Sequence, residues 1–215
     1  MRYDLVIFDN DGVLVDSERI ANRVLAALLT ELGHPTTLEE SVRDFMGSSV
    51  TRVREVVRVR TGDSLPLTFE EILHERTFAA FRRELLPVDG IGGVLDKLEA
   101  EGVPYCVASS GTHERIRVSL TKAGLYERFG EGRIFSAQDV ARGKPDPELF
   151  LHAAGTMGVP PGRCAVVEDS PLGLRAGVAA GMDVYGYAAM TPPDRLAAAR
   201  ERFTDMNALV GLLSS

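Results

Sequence analysis

Apolar residues along this chain alternate between two spacings, and the change of spacing outlines the fold. Leu5-Val6-Ile7-Phe8 is an unbroken apolar run that ends in Asp9-Asn10-Asp11-Gly12. A short apolar run closed by turn residues predicts a buried strand. Three further runs end in small or acidic residues: Val103 to Ser110 (VPYCVASS), Arg133 to Ser136 (RIFS) and Cys164 to Asp169 (CAVVED). A last strand is predicted over Asp183 to Tyr187. Between these runs the spacing is helical. Ile116, Leu120 and Ala123 share one face; Leu149, Phe150, Ala153 and Met157 mark a second helix; Leu172, Leu174 and Val178 mark a third after Ser170. Helices are also predicted near Asp194 to Arg202 and Met206 to Leu213. Strands alternating with helices predict βαβ units and a mostly parallel sheet, hence an α/β core.

The stretch from Ser17 to Leu85 carries no strand pattern. Ile20, Val24, Leu28 and Leu32 recur at helical spacing, as do Val50, Val53 and Val57, and less regularly Phe69, Ile72, Leu73, Phe81 and Leu85. Gly33, Gly47 and the Thr61-Gly62-Asp63 turn punctuate them. The expected organisation is a catalytic core made of residues 1–16 and 86–215, with an all-helical insertion at 17–85. The crossings would lie near Val15 to Glu18 and Leu85 to Asp89. An insertion placed directly after Asp9 and Asp11 is expected to act as a lid and to set substrate specificity.

Composition narrows the classes. The 215 residues are 45% hydrophobic and 26% charged, ordinary for a globular protein. A net charge of -7 argues against a nucleic-acid surface. No segment approaches the roughly 20 apolar residues of a membrane helix, and a first strand starting at Leu5 leaves no room for a signal peptide. Cys106 and Cys164 lie in separate strand-like runs without metal-type spacing, so they read as reduced core residues. The expectation is a cytoplasmic protein with no membrane or nucleic-acid partner, monomeric or at most dimeric.

Four predicted strand ends supply complementary chemistry. On an extended strand Asp9 and Asp11, spaced i and i+2, point to one side. Two carboxylates held that close need a cation or a proton. Ser109, followed by Ser110 and Gly111, offers a hydroxyl and backbone N–H groups at a helix start, which suits a phosphate oxygen, although a helix N-cap would use the same residue type. Lys144, in Gly143-Lys144-Pro145-Asp146-Pro147, precedes a proline-initiated helix and can neutralise a transferring phosphoryl group. Glu168 and Asp169 end a buried strand with the oxygen ligands that Mg²⁺ prefers.

The motifs DNDGVLVDSE, VASSG, GKPDPELF and VVEDSPLGLRAG, in this order, resemble those of the haloacid dehalogenase superfamily of phosphohydrolases, over essentially the whole chain. The chain looks like the branch with a helical cap after the first motif, which holds sugar-phosphate phosphatases and β-phosphoglucomutase. The tract from Phe135 to Gly181 is most similar to the sugar phosphatases, those acting on 6-phosphogluconate among them. The resemblance implies a Rossmann-like core, a small phosphorylated metabolite as substrate and Mg²⁺ as cofactor. It makes Asp9 the nucleophile that forms an aspartyl-phosphate and Asp11 the acid and base. Ser109 and Lys144 would bind the phosphoryl group, with Ser110 and Gly111 beside them. Asp9, the Asp11 carbonyl, Asp169 and, directly or through water, Glu168 would hold the metal.

Outside the motifs, Arg52, Arg54 and His113 are candidates for substrate contact, weighed against a solvated helix face for the arginines and a helix residue for the histidine. A dehalogenase has no use for Asp11, and a phosphonatase needs a cap lysine that residues 17–85 do not contain. A mutase of this branch carries a cap histidine and a cap arginine that Ser17-Glu18-Arg19-Ile20-Ala21-Asn22 and Gly47-Ser48-Ser49-Val50 do not match. The mutase remains the alternative, together with a catalytically silent binding protein on the same fold.

Overall fold

In the computed structural model, which describes all 215 residues, the strand-like runs form one parallel sheet. The chain begins β1 (Leu5–Phe8), α1 (Glu18–Glu31), α2 (Leu38–Phe45), α3 (Val50–Thr61), α4 (Phe69–Glu84), α5 (Ile91–Ala100) and β2 (Tyr105–Ser109). It continues α6 (His113–Lys122), α7 (Tyr126–Phe129), β3 (Ile134–Ser136), α8 (Glu148–Thr156), β4 (Cys164–Glu168), α9 (Pro171–Ala179), β5 (Asp183–Tyr187), β6 (Glu201–Phe203) and α10 (Leu209–Ser214). The sheet order is β3-β2-β1-β4-β5-β6, and every paired ladder is parallel. In this order the chain reverses direction of travel beside β1, and the crevice at the carboxyl ends of β1 and β4 is where open α/β sheets hold their ligands. No helix is long and apolar enough to cross a membrane.

Two compact units divide the chain, one of residues 1–16 and 86–215, the other of 17–85. Within the first, the segments entering and leaving the helical unit run side by side. The Asp16 amide donates to Leu86 O at 3.0 Å and the Val88 amide to Leu14 O at 3.0 Å. The second unit is all helix. Leu25, Leu28 and Leu29 of α1 close a core with Phe45, Val53, Val56, Val57, Leu65 and Phe69. One polar pair lies inside it: Ser41 Oγ donates to Asn22 Oδ1 at 3.0 Å. A capping box between Thr37 and Glu40 starts α2, and the Ser49 side chain caps α3.

The sheet packs on α8 and α9 through Leu149, Phe150, Ala153, Leu174 and Ala176. The face of α9 differs from the expected one. Leu172 and Val178 are exposed, while Gly173, Leu174, Ala176 and Gly177 are buried. Small residues let this helix approach the sheet closely; a Cβ on Gly177 would lie 2.6 Å from Val184 Cγ2. The helix expected near Asp194 to Arg202 is also absent. Pro192 and Pro193 open a single tight turn ending at Leu196. The chain then extends as β6, because Glu201, Arg202 and Phe203 pair with Tyr185, Gly186 and Tyr187 of β5. Sheet pairing and the Tyr187–Phe203 ring contact at 5.2 Å outweigh the helix propensity of Ala197, Ala198 and Ala199. Both cysteines are free and buried, and burial pushes the Cys164 thiol up to about 11.

The packing on Gly177 gives a stability prediction. Gly177→Val should destabilise the protein by about 1–3 kcal/mol through overpacking. Gly155→Ala, at an exposed position of α8 with nothing within 4 Å of an added Cβ, should be neutral or stabilising by up to about 1 kcal/mol. Urea unfolding of both variants checks this. Equal midpoints would mean that α9 does not lie as close to the sheet as described.

Candidate active site

The carboxyl ends of β1, β2 and β4 and the loop before α8 converge on one small volume. The ladder of β1 and β4 runs up to the first of these residues, since the Asp9 amide donates to Val167 O at 3.0 Å. Beyond Asp9 the chain turns sharply. Leu14 and Val15 amides both donate to Asn10 O, and Gly12 adopts φ 77°, a left-handed conformation that suits glycine.

Lys144 occupies the centre. Its Nζ lies 2.6 Å from Asp9 Oδ1 and 2.6 Å from Glu168 Oε1. The same ammonium sits 4.8 Å from the centre of the Phe150 ring. All three charged side chains of this group are buried. Glu168 is engaged at both oxygens, because Oε2 accepts from the Ser170 amide and from Ser170 Oγ, each at 2.9 Å. Ser170 Oγ in turn accepts from the Gly173 amide at 3.0 Å and so caps α9. Gly173 is required here: a Cβ on it would overlap the Glu168 carboxylate.

Burial is the largest influence on Asp9 and pushes its carboxyl up, to about 7, against the pull of Lys144; Glu168 and Asp11 add to the rise. Burial alone would make Lys144 easier to deprotonate, but Asp9 and Glu168 hold its ammonium charged. One carboxylate oxygen each of Asp9, Glu168 and Asp169 lie within 4.8 Å of one another. Asp11 faces a different cation, with Arg115 Nη2 donating to its Oδ1 at 2.9 Å. The carboxylates of Asp9, Glu168 and Asp169 gathered here all offer hard oxygen donors. That donor set fits a divalent ion of the Mg²⁺ type.

Ser109 ends β2 fully buried, and its Oγ accepts from the Gly111 amide at 3.1 Å. It does not cap the following helix; Thr112 does, accepting from the Arg115 amide at 3.2 Å. Ser136 Oγ from β3 donates to Gly111 O at 2.6 Å and fixes the loop from below. Ser110 is exposed at the tip.

The remaining candidates make other contacts. His113 is tied to the turn after β3, its amide donating to Gln138 Oε1 and its ring 2.7 Å from Asp139. Arg52 forms an exposed pair with Glu55. Arg54 is engaged within the helical unit, donating to the carbonyls of Leu65, Pro66 and Leu67 at 2.8, 2.8 and 3.2 Å and lying over the Phe69 ring. Through these contacts the guanidinium clamps a loop of the helical unit. Arg115 was missed in the sequence, although its spacing of four from Ser119 places both on the side of α6 that meets Asn10 and Asp11.

The clamp can be tested. Arg54→Met leaves three carbonyls without their donor and should cost about 1–2 kcal/mol of stability. Urea unfolding measures it, and an unchanged midpoint would mean that these contacts do not hold the loop.

Comparison with known proteins identifies the family. The family model of haloacid dehalogenase-like hydrolases matches residues 3–181. The chain is 34% identical to the 6-phosphogluconate phosphatase of Escherichia coli, over 87% of this chain and 84% of that protein. It is 30% identical to hexitol phosphatase A of the same organism, over 91% and 88% respectively. A crystal structure of a haloacid dehalogenase-like protein from Agrobacterium tumefaciens superposes with a TM-score of 0.91 at 36% identity, covering 99% of this chain and 98% of the other.

Proposed function

Because the chain belongs to the haloacid dehalogenase-like hydrolases and hydrolyses phosphate monoesters, we propose that it is a Mg²⁺-dependent phosphatase of small phosphorylated sugars or sugar acids, working through an aspartyl-phosphate. The observation that carries this reading is the buried Lys144 ammonium shared between Asp9 and Glu168 beside Asp169. A binding protein gains nothing from a buried nucleophile with its charge partly neutralised and an acid two residues away.

In this reading Asp9 attacks phosphorus, and the bond to the leaving alkoxide breaks as Asp11 delivers its proton to that oxygen. Asp11, now a carboxylate, takes a proton from the water that attacks the aspartyl-phosphate. Inorganic phosphate leaves and Asp9 is restored. Lys144, Ser109 Oγ and the backbone N–H of Ser110 bind the phosphoryl oxygens whose charge grows in the transition state, while Gly111, its amide donating to Ser109 Oγ, shapes the loop. Asp9, Asp169 and the Asp11 carbonyl would hold Mg²⁺, which supplies charge neutralisation at the phosphoryl group. Glu168, with both oxygens engaged, holds Lys144 in place and would assist in holding the ion, directly or through water.

Two outcomes test this reading. Asp9→Asn should reduce turnover of p-nitrophenyl phosphate to background. EDTA should abolish wild-type activity and Mg²⁺ restore it, while Ca²⁺, with its looser and larger oxygen shell, should inhibit. Asp169→Ala should raise the Mg²⁺ requirement more than Glu168→Ala. Full activity in excess chelator would remove the metal from the mechanism.

The product separates phosphatase from mutase. With 6-phosphogluconate, glucose 6-phosphate and β-glucose 1-phosphate as substrates, phosphorus NMR should show inorganic phosphate accumulating, with 6-phosphogluconate the first substrate to try. Isomerisation of β-glucose 1-phosphate to glucose 6-phosphate with little phosphate release would establish the mutase instead.

A further inference from the structure

Asp11 does not stand alone at the end of its turn. It is held by α6, the helix that follows the Ser109 loop. Arg115 and Ser119 lie one turn apart on that helix, and the adjacent residues Asp11 and Asn10, respectively, meet them. Asn10 Nδ2 donates to Ser119 Oγ at 3.1 Å in a buried contact, and Arg115 Nη2 donates to Asp11 Oδ1 at 2.9 Å. The stem of Arg115 runs past the Ser109 loop. A Cβ on Gly111 would lie 3.3 Å from Arg115 Cδ and 3.4 Å from Ser109 Oγ, so glycine leaves the stem its path.

An ordinary surface ion pair is the bland alternative, and exposure argues against it. The Arg115 and Asp11 side chains are 26% and 18% exposed, whereas those of Arg52 and Glu55 are 57% and 53% exposed. Exposed pairs contribute little; a partly buried, charge-assisted contact fixes a rotamer.

We propose that Arg115 is a positioning residue for proton transfer: its guanidinium orients the Asp11 carboxylate toward the leaving oxygen and ties that orientation to the loop that holds the phosphoryl group. The inference rests on the reading of Asp11 as acid and base. A carboxylate free to rotate about its Cα–Cβ bond loses the alignment on which proton transfer depends.

Leaving-group dependence separates this role from others. Phenyl phosphate expels a strongly basic phenolate and needs a proton donor, whereas p-nitrophenyl phosphate expels a weakly basic one. Arg115→Met should lower kcat/KM for phenyl phosphate by about 30-fold and that for p-nitrophenyl phosphate by less than about threefold. Arg115→Lys should restore most of the loss. Asp11→Asn should show the same selective loss, and adding Arg115→Met to it should lower kcat/KM no further. Circular dichroism of each variant confirms folding. Equal losses on the two esters, a rise in KM alone, or an added loss in the double variant overturns the inference while leaving the reading of Asp11 intact. If Asp11→Asn itself treats both esters alike, the reading of Asp11 fails and the inference fails with it.

Discussion

Charge compensation at one buried lysine governs this site. Asp9 and Glu168 are both removed from water, where an unpaired charge is costly. Lys144, 2.6 Å from each, makes their coexistence workable. The rest of the local structure serves to keep that arrangement from collapsing. Phe150 flanks the ammonium, Ser170 takes the far oxygen of Glu168, and Gly173 leaves the space that the carboxylate fills. Asp169 brings a third carboxylate oxygen within 4.8 Å of those of Asp9 and Glu168, a set of hard oxygens that would suit a divalent ion.

The fold delivers these groups with little adjustment of its own. A parallel sheet ordered β3-β2-β1-β4-β5-β6 brings the ends of β1 and β4 together, so residues far apart in sequence become neighbours through backbone pairing. The amide of Asp9 completes the ladder to Val167, which makes the backbone of the proposed nucleophile as rigid as the strand. Precise placement on a rigid element is what charge-driven phosphoryl transfer asks of a protein.

The parts legible in sequence were those carried by local pattern. Buried parallel strands read as unbroken apolar runs, and β5 spans Asp183–Tyr187 as expected because nothing in that run competes with extension. The cluster of Asp9, Lys144, Glu168 and Asp169 was legible because these residues lie in compact motifs at strand ends and in the loop before α8. What escaped depends on partners distant in sequence. β6 exists only because β5 offers an edge, so Ala-rich residues before it read as helix. The buried face of α9 is set by glycines, which carry no apolar signal. Arg54 looks like any solvated arginine until Leu65, Pro66 and Leu67 fold back onto it. Arg115 needed the docking of α6 on the Asn10-Asp11 turn, a contact across more than 100 residues of sequence.

The central claim is that Asp9 carries the phosphoryl group between substrate and water. Acid quenching during turnover of p-nitrophenyl phosphate, followed by borohydride reduction and peptide mass spectrometry, tests it directly. An acyl phosphate on Asp9 is reduced to homoserine, so the account predicts homoserine at position 9 and unmodified aspartate at position 11. Reduction at any other residue, or none under conditions that trap a known acyl phosphate, would contradict it.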